Sequence, residues 1–283
     1  MRASSGLPRL SLAAAALAGA LAGCAPRTLV VVDPYPCADG ATAPCANGLL
    51  DGLVGYWRLD DPPGSATARD WSGWGNDGML VNLDPSTAWV AGGPEGGALS
   101  PQAKGYVNVV PSTSIDSVTD QVTVAAWIYV DETLTDYATS ISRQIGPSYE
   151  QHYHVSINDQ MLPALFITTS TQGKVFISSP TAVPQQTWVH IAGTYDGTTA
   201  RLYVNGAEVA SAPESGPFAT ETNPVVLGGN GNTSSRTVSE LIPGQLDDVM
   251  LYSRALSGDE IAAIEGGALL GSAVKLDGGA SGN

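Results

Sequence analysis

Apolar and polar positions alternate most regularly in residues 121–130. Val122, Val124, Ala126, Ile128 and Val130 recur at every second residue there and predict a strand that lines a core. Residues 187–209 read as three antiparallel strands in one run, because Asp196-Gly197 and Asn205-Gly206 supply residues that tolerate positive φ at hairpin tips. Between those turns Leu202 and Val204 alternate with Arg201, Tyr203 and Asn205, predicting one apolar and one polar face. Turn residues such as Asp60-Asp61-Pro62-Pro63-Gly64 separate further expected strands at 49–59, 79–83, 88–90, 97–99, 106–110, 139–144, 152–157, 164–169, 174–178, 224–227 and 244–252. In the last of these, if Val249 and Leu251 face inward then Asp247 does too, and a carboxylate buried alone is costly enough to require a partner such as a cation. Asp248 falls on the opposite parity. Residues 257–265 read as one short helix, capped by Ser257 and stopped by Gly266-Gly267.

The chain is therefore expected to be all-β, with one short C-terminal helix. Its 283 residues include 33 Gly and 19 Pro with 14% charged side chains, which suits many short strands around one core spanning 49–265. The Gly/Ser-rich tail 266–283 is expected to be partly disordered.

A formal charge of −15 argues against nucleic acid as a partner, since polyanion binding needs a basic stripe to displace counterions. The first residues have a separate logic. Arg2 and Arg9 precede an apolar run over 10–21, too short for a stable anchor but suited to a signal peptide. It ends in Leu21-Ala22-Gly23-Cys24, which resembles a bacterial lipobox. The resemblance implies cleavage of residues 1–23 and lipidation of Cys24, anchoring the chain at a cell envelope. Ala25 in place of Asp favours the outer membrane. An ordinary secretory signal is the alternative. Residues 24–48 carry Pro26, Pro34, Pro36 and Pro44 and read as a tether. Cys37 and Cys45 form an even pair in an oxidising compartment and are expected as a disulfide, with two free thiols as the other reading. A metal site there is disfavoured, because no His lies nearby.

Asp70-Trp71-Ser72-Gly73-Trp74-Gly75-Asn76-Asp77-Gly78 packs turn residues and carboxylates into a loop able to fold oxygens around a hard cation. Taken in order, Gly-Tyr-Trp-Arg-Leu-Asp at 55–60, this loop, Val-Ala-Ala-Trp-Ile-Tyr at 124–129, Trp188-Val-His-Ile-Ala-Gly-Thr-Tyr-Asp-Gly with Leu202-Tyr-Val-Asn-Gly, and Gly244-Gln-Leu-Asp-Asp-Val with Tyr252-Ser-Arg-Ala-Leu-Ser resemble the laminin-G-like branch of the concanavalin A-like lectin/glucanase superfamily. The resemblance spans about 49–265. It implies a jelly-roll sandwich of two antiparallel sheets that binds carbohydrate or protein, with calcium on Asp70, Asn76 and Asp247. The competing reading gives Asp70 and Asn76 to Asx-turns and Asp247 to backbone hydrogen bonds.

Trp71 and Trp74 are the leading candidates to stack on a sugar, with Tyr137, Tyr149 and Tyr153 also in view; the alternative is that the two Trp close the end of the sandwich. The family's hydrolases carry closely spaced carboxylates on a central strand. Here Asp131-Glu132 ends its strand and Glu260 and Glu265 fall on the expected helix, so a non-catalytic binder is expected, with an envelope or extracellular protein as the alternative partner to a glycan. His190 reads as a sheet residue. His152 and His154 fall on one strand face, as outward polar positions or as a zinc pair short of a third ligand.

Overall fold

The computed structural model describes residues 30–31, 46–94, 96–145, 150–171, 173–218, 223–232, 237–269 and 274–275. Cys24, Cys37, Cys45 and Tyr149 lie outside the described residues. Two antiparallel sheets face each other. The first runs Ala207–Pro213, Thr199–Val204, Val189–Tyr195, Val122–Val130, Gly244–Tyr252, Gly96–Leu99, Trp89–Gly93, with Leu53–Trp57 also paired to Gly244–Tyr252. The second runs Gly173–Ser178, Pro163–Thr169, Glu150–Ile157, Ala138–Ile145, Val225–Leu227, Tyr106–Val109, Gly78–Val81, Thr67–Ala68.

Alternation explains the core between the sheets. Val122, Val124, Ala126, Ile128 and Val130 of one sheet meet Tyr153, Val155, Ile157, Leu165 and Ile167 of the other, all essentially buried. A second cluster lies on the outer face of the first sheet, where Ala125, Ala192, Tyr203, Met250 and Tyr252 pack under Leu49, Leu53, Tyr56, Leu256, Ile261 and Ile264. Tyr203, expected on a polar face, is thus buried because the C-terminal helix covers that part of the sheet.

The helix is Gly258–Glu265, and its start is fixed by a capping box. Ser257 Oγ accepts the Glu260 N–H, Glu260 Oε2 accepts the Ser257 N–H at 2.8 Å, and Arg254 pairs with the same carboxylate at 2.7 Å. Ser257→Ala should lower the free energy of unfolding by about 1 kcal/mol, read as a shift of the urea midpoint at unchanged slope.

Two bulges change what alternation predicts. In Gly244–Tyr252 the register slips between Asp247, opposite Trp127, and Met250, opposite Ala125, and Asp248 takes φ 46°. Leu246 and Val249 therefore both reach the core while Asp247 turns to the outer face beside Trp127. Asp247 is buried as expected but on the other side, because one extra residue inverts the parity. In Glu150–Ile157 a slip between Gln151 and Tyr153 separates the two histidines. His152 stacks on Phe218, which also touches Tyr153 and Tyr195, whereas His154 stacks on Phe166. They do not share a face.

Within the expected tether and tail, Val30–Val31 pairs antiparallel with Val274–Lys275. Residues 46–49 form a short helix rather than the beginning of a strand, and Leu49 enters the outer cluster.

Candidate functional site

The loop over 70–77 starts where an isolated bridge joins Trp57 to Asp70. Its centre is the Asp70 carboxylate. Oδ1 accepts the N–H groups of Tyr56 at 3.0 Å and Ser72 at 2.8 Å, and Oδ2 accepts the Asn76 N–H and the Ser72 O–H, each at 2.8 Å. The Asp70 N–H in turn donates to Asp77 Oδ1 at 2.8 Å. Asn76 is equally committed: its amide donates to the Val54 carbonyl and to Ser114 Oγ, its Oδ1 accepts the Ser112 O–H, and its backbone carbonyl accepts the Trp57 indole N–H. Gly73 and Gly75, at φ 92° and 76°, let the chain wrap around this carboxylate.

The two loop tryptophans have different fates. Trp71 packs against the outer cluster, with the guanidinium carbons of Arg58 and Arg69 lying 5.1 and 4.3 Å from its ring centroid. Trp74 is 64% exposed, yet its indole N–H donates to the Leu53 carbonyl at 2.9 Å. An exposed ring held by its edge on a pinned loop is a rigid apolar plate.

The expected calcium ligands do not converge as one open site. Asp70 and Asn76 are together, but their oxygens are occupied by N–H and O–H donors whose positive ends face where a cation would sit, so this donor set does not fit a calcium ion. Asp247 lies on the Gly244–Tyr252 strand, its Oδ1 accepting the Asp248 N–H at 3.0 Å, and packs against the hairpin of Trp89–Gly93 and Gly96–Leu99. The approach is close: a Cβ on Gly93 would meet Gly97 O at 2.0 Å and Asp247 Oδ2 at 2.4 Å. Asp248 accepts the Tyr56 phenol at 2.7 Å; burial first, and then the Asp248 charge, push that phenol well above its ordinary pKa. Among the described residues no group of three or more His, Cys, Asp or Glu is arranged to hold a metal ion.

Motif reading missed Glu240. It stands at φ 53° beside an opening of about 240 Å³, lined also by Glu132, Asp136 and Tyr137. Its Oε2 accepts the Thr139 O–H at 2.8 Å and lies 3.2 Å from His154 Nε2. Burial pushes this carboxyl up, but hydrogen bonds from His154 and Thr139 bring it below the usual range. Segments about a hundred residues apart build this corner, so no local pattern marks it. Tyr137 sits edge-on to Phe166 and His154, and Tyr153 is in the core. His190 is buried beside Trp127 at 5.3 Å.

A family model described as the concanavalin A-like lectin/glucanases superfamily matches residues 101–262. Three solved structures share the fold. The binding domain of Paraclostridial Mosquitocidal Protein 1 superposes with TM-score 0.57 at 18% identity, over 77% of this chain and 52% of that one. Domain 4 of AbnA, a GH43 extracellular arabinanase from Geobacillus stearothermophilus, in complex with arabinotriose, gives 0.56 at 16%, over 75% of this chain and 98% of that one. Trypanosoma rangeli sialidase gives 0.55 at 17%, over 84% of this chain and 36% of that one. The chain thus spans about half of the chain of the mosquitocidal protein's binding domain and about a third of the sialidase chain. No curated protein matches it in sequence.

Proposed function

The chain belongs to the concanavalin A-like lectin/glucanase superfamily, and from that membership we propose that it is a non-catalytic, lectin-like module that binds carbohydrate on the exposed face of Trp74. The observation that carries this reading is the combination of 64% exposure with an anchored indole, because a large ring displayed in a fixed orientation offers a flat apolar surface on which the apolar face of a sugar can stack. The loop beneath it is fixed by Asp70, so little ordering entropy remains to oppose binding. A domain of the same fold in AbnA was solved with arabinotriose, which makes arabino-oligosaccharides a sensible first probe. Attachment through a lipid on Cys24, with the tether ordered by a Cys37 to Cys45 disulfide, would hold the module at a bacterial envelope.

The test is a glycan array followed by titration of the best hit. Trp74→Ala should weaken binding at least about tenfold, as expected when an anchoring Trp is truncated, while the melting temperature stays within about 2 °C. Equal affinity of the two proteins would remove Trp74 from the site. A protein-binding reading draws on Phe176, 48% exposed on the edge strand Gly173–Ser178. A silent array, together with co-purification of an envelope protein that Phe176→Ala abolishes, would favour it.

A further inference from the structure

We infer that the loop over 70–77 folds, and presents Trp74, without a divalent cation, the hydrogen-bond donors around Asp70 taking the place of a metal ion. A carboxylate has about four good acceptor directions. All four are met here by the N–H groups of Tyr56, Ser72 and Asn76 and the hydroxyl of Ser72, at 2.8 to 3.0 Å. These donors come from both sides of the loop and from the Leu53–Trp57 strand, so one buried charge ties three pieces of backbone together. A calcium ion bound to Asp70 would need at least one oxygen turned away from these hydrogens, each of which would then be buried without an acceptor. The second expected ligand offers no relief. The Asn76 side-chain oxygen accepts the Ser112 hydroxyl, and its backbone carbonyl holds the Trp57 indole.

The consequence for ligand binding, that Trp74 works equally well in chelator, rests on the function proposed above. The inference about the loop does not, and the experiment keeps them apart by reading melting alone. The full chain and its Asp70→Asn variant are melted in calcium and in excess chelator. An amide at this position replaces one acceptor by a donor facing donors, so the variant should melt lower by roughly 5 °C, with the same gap in both buffers. A cation held elsewhere on the chain would shift both proteins together and leave the gap unchanged. A gap that is present in calcium and closes in chelator would overturn the inference. Should Asp70→Asn fail to fold, Ser72→Ala removes one of the four donors, the hydroxyl on Oδ2, and keeps the backbone N–H on Oδ1, and the same comparison decides: an equal gap supports the metal-free loop, a gap that depends on calcium refutes it.

Discussion

Trp57→Ala should destabilise the protein by about 3–5 kcal/mol, the range for emptying a fully buried large ring. Trp57 is 0% exposed and packs in the core between the sheets, and its ring crosses so closely over Gly55 that a Cβ there would lie 2.3 Å from it. It does two jobs at once. Its indole N–H holds the Asn76 carbonyl at 2.8 Å, so truncation also leaves a buried acceptor unpaired and loosens the base of the Trp74 loop. At roughly 2–4 °C per kcal/mol for a domain of this size, the melting temperature should fall by roughly 6–20 °C. Trp57→Phe separates the two contributions, because it keeps most of the ring volume and removes only the donor. An alanine variant that melts within about 2 °C of the parent would show that neither the packing nor the hydrogen bond matters as described.

Acid should cost the protein stability through His190. Burial alone, beside Trp127, pushes its pKa down from the ordinary 6.5 to about 4. In the unfolded chain the imidazole takes up a proton near pH 6.5, whereas in the folded protein it stays neutral until about pH 4. The unfolded state therefore binds more protons throughout that window, and stability is intact above pH 6.5 and lost progressively as pH falls toward 4, by about 3 kcal/mol in all. Carboxylates held below their usual range, such as Glu240 and Glu260, also lose stability in acid, so the informative quantity is a difference. His190→Gln should show a flatter fall of denaturant midpoint between pH 6.5 and 4 than the parent. Parallel curves would mean that the buried imidazole does not titrate as described.

The sandwich was legible in the sequence wherever one rule, alternation, acts alone. Residues 121–130 and the hairpins at Asp196-Gly197 and Asn205-Gly206 show this, and so does Ser257, whose hydroxyl caps the helix as read. The two-sheet jelly-roll architecture came from the order of motifs, and the family match at 101–262 agrees with it. Illegible features arose where a single residue is inserted. Nothing local announces that Asp248 adopts φ 46°, yet that one conformation sends Asp247 to the opposite face from Val249, and the slip beside His152 does the same to a histidine pair. Trp71 and Trp74 are three residues apart in one Gly-rich loop, and nothing in that stretch tells which ring is covered and which is displayed. Their difference depends on the Leu53 carbonyl and on Arg58, which arrive from the Leu53–Trp57 strand and the residue just after it, more than a dozen residues earlier. The sequence around Asp70 suits both a cation ligand and a turn-former, and only the donors that gather on its carboxylate distinguish these roles.

Because the single polar atom of the Trp74 side chain is spent on Leu53, the ring has no means of recognising where a bound molecule carries its hydroxyl groups. It can register only a flat, nonpolar side of matching breadth. Under the proposed function, discrimination between epimers falls to neighbours on the rim, and exchanging those neighbours should retune preference while leaving the plate itself unchanged.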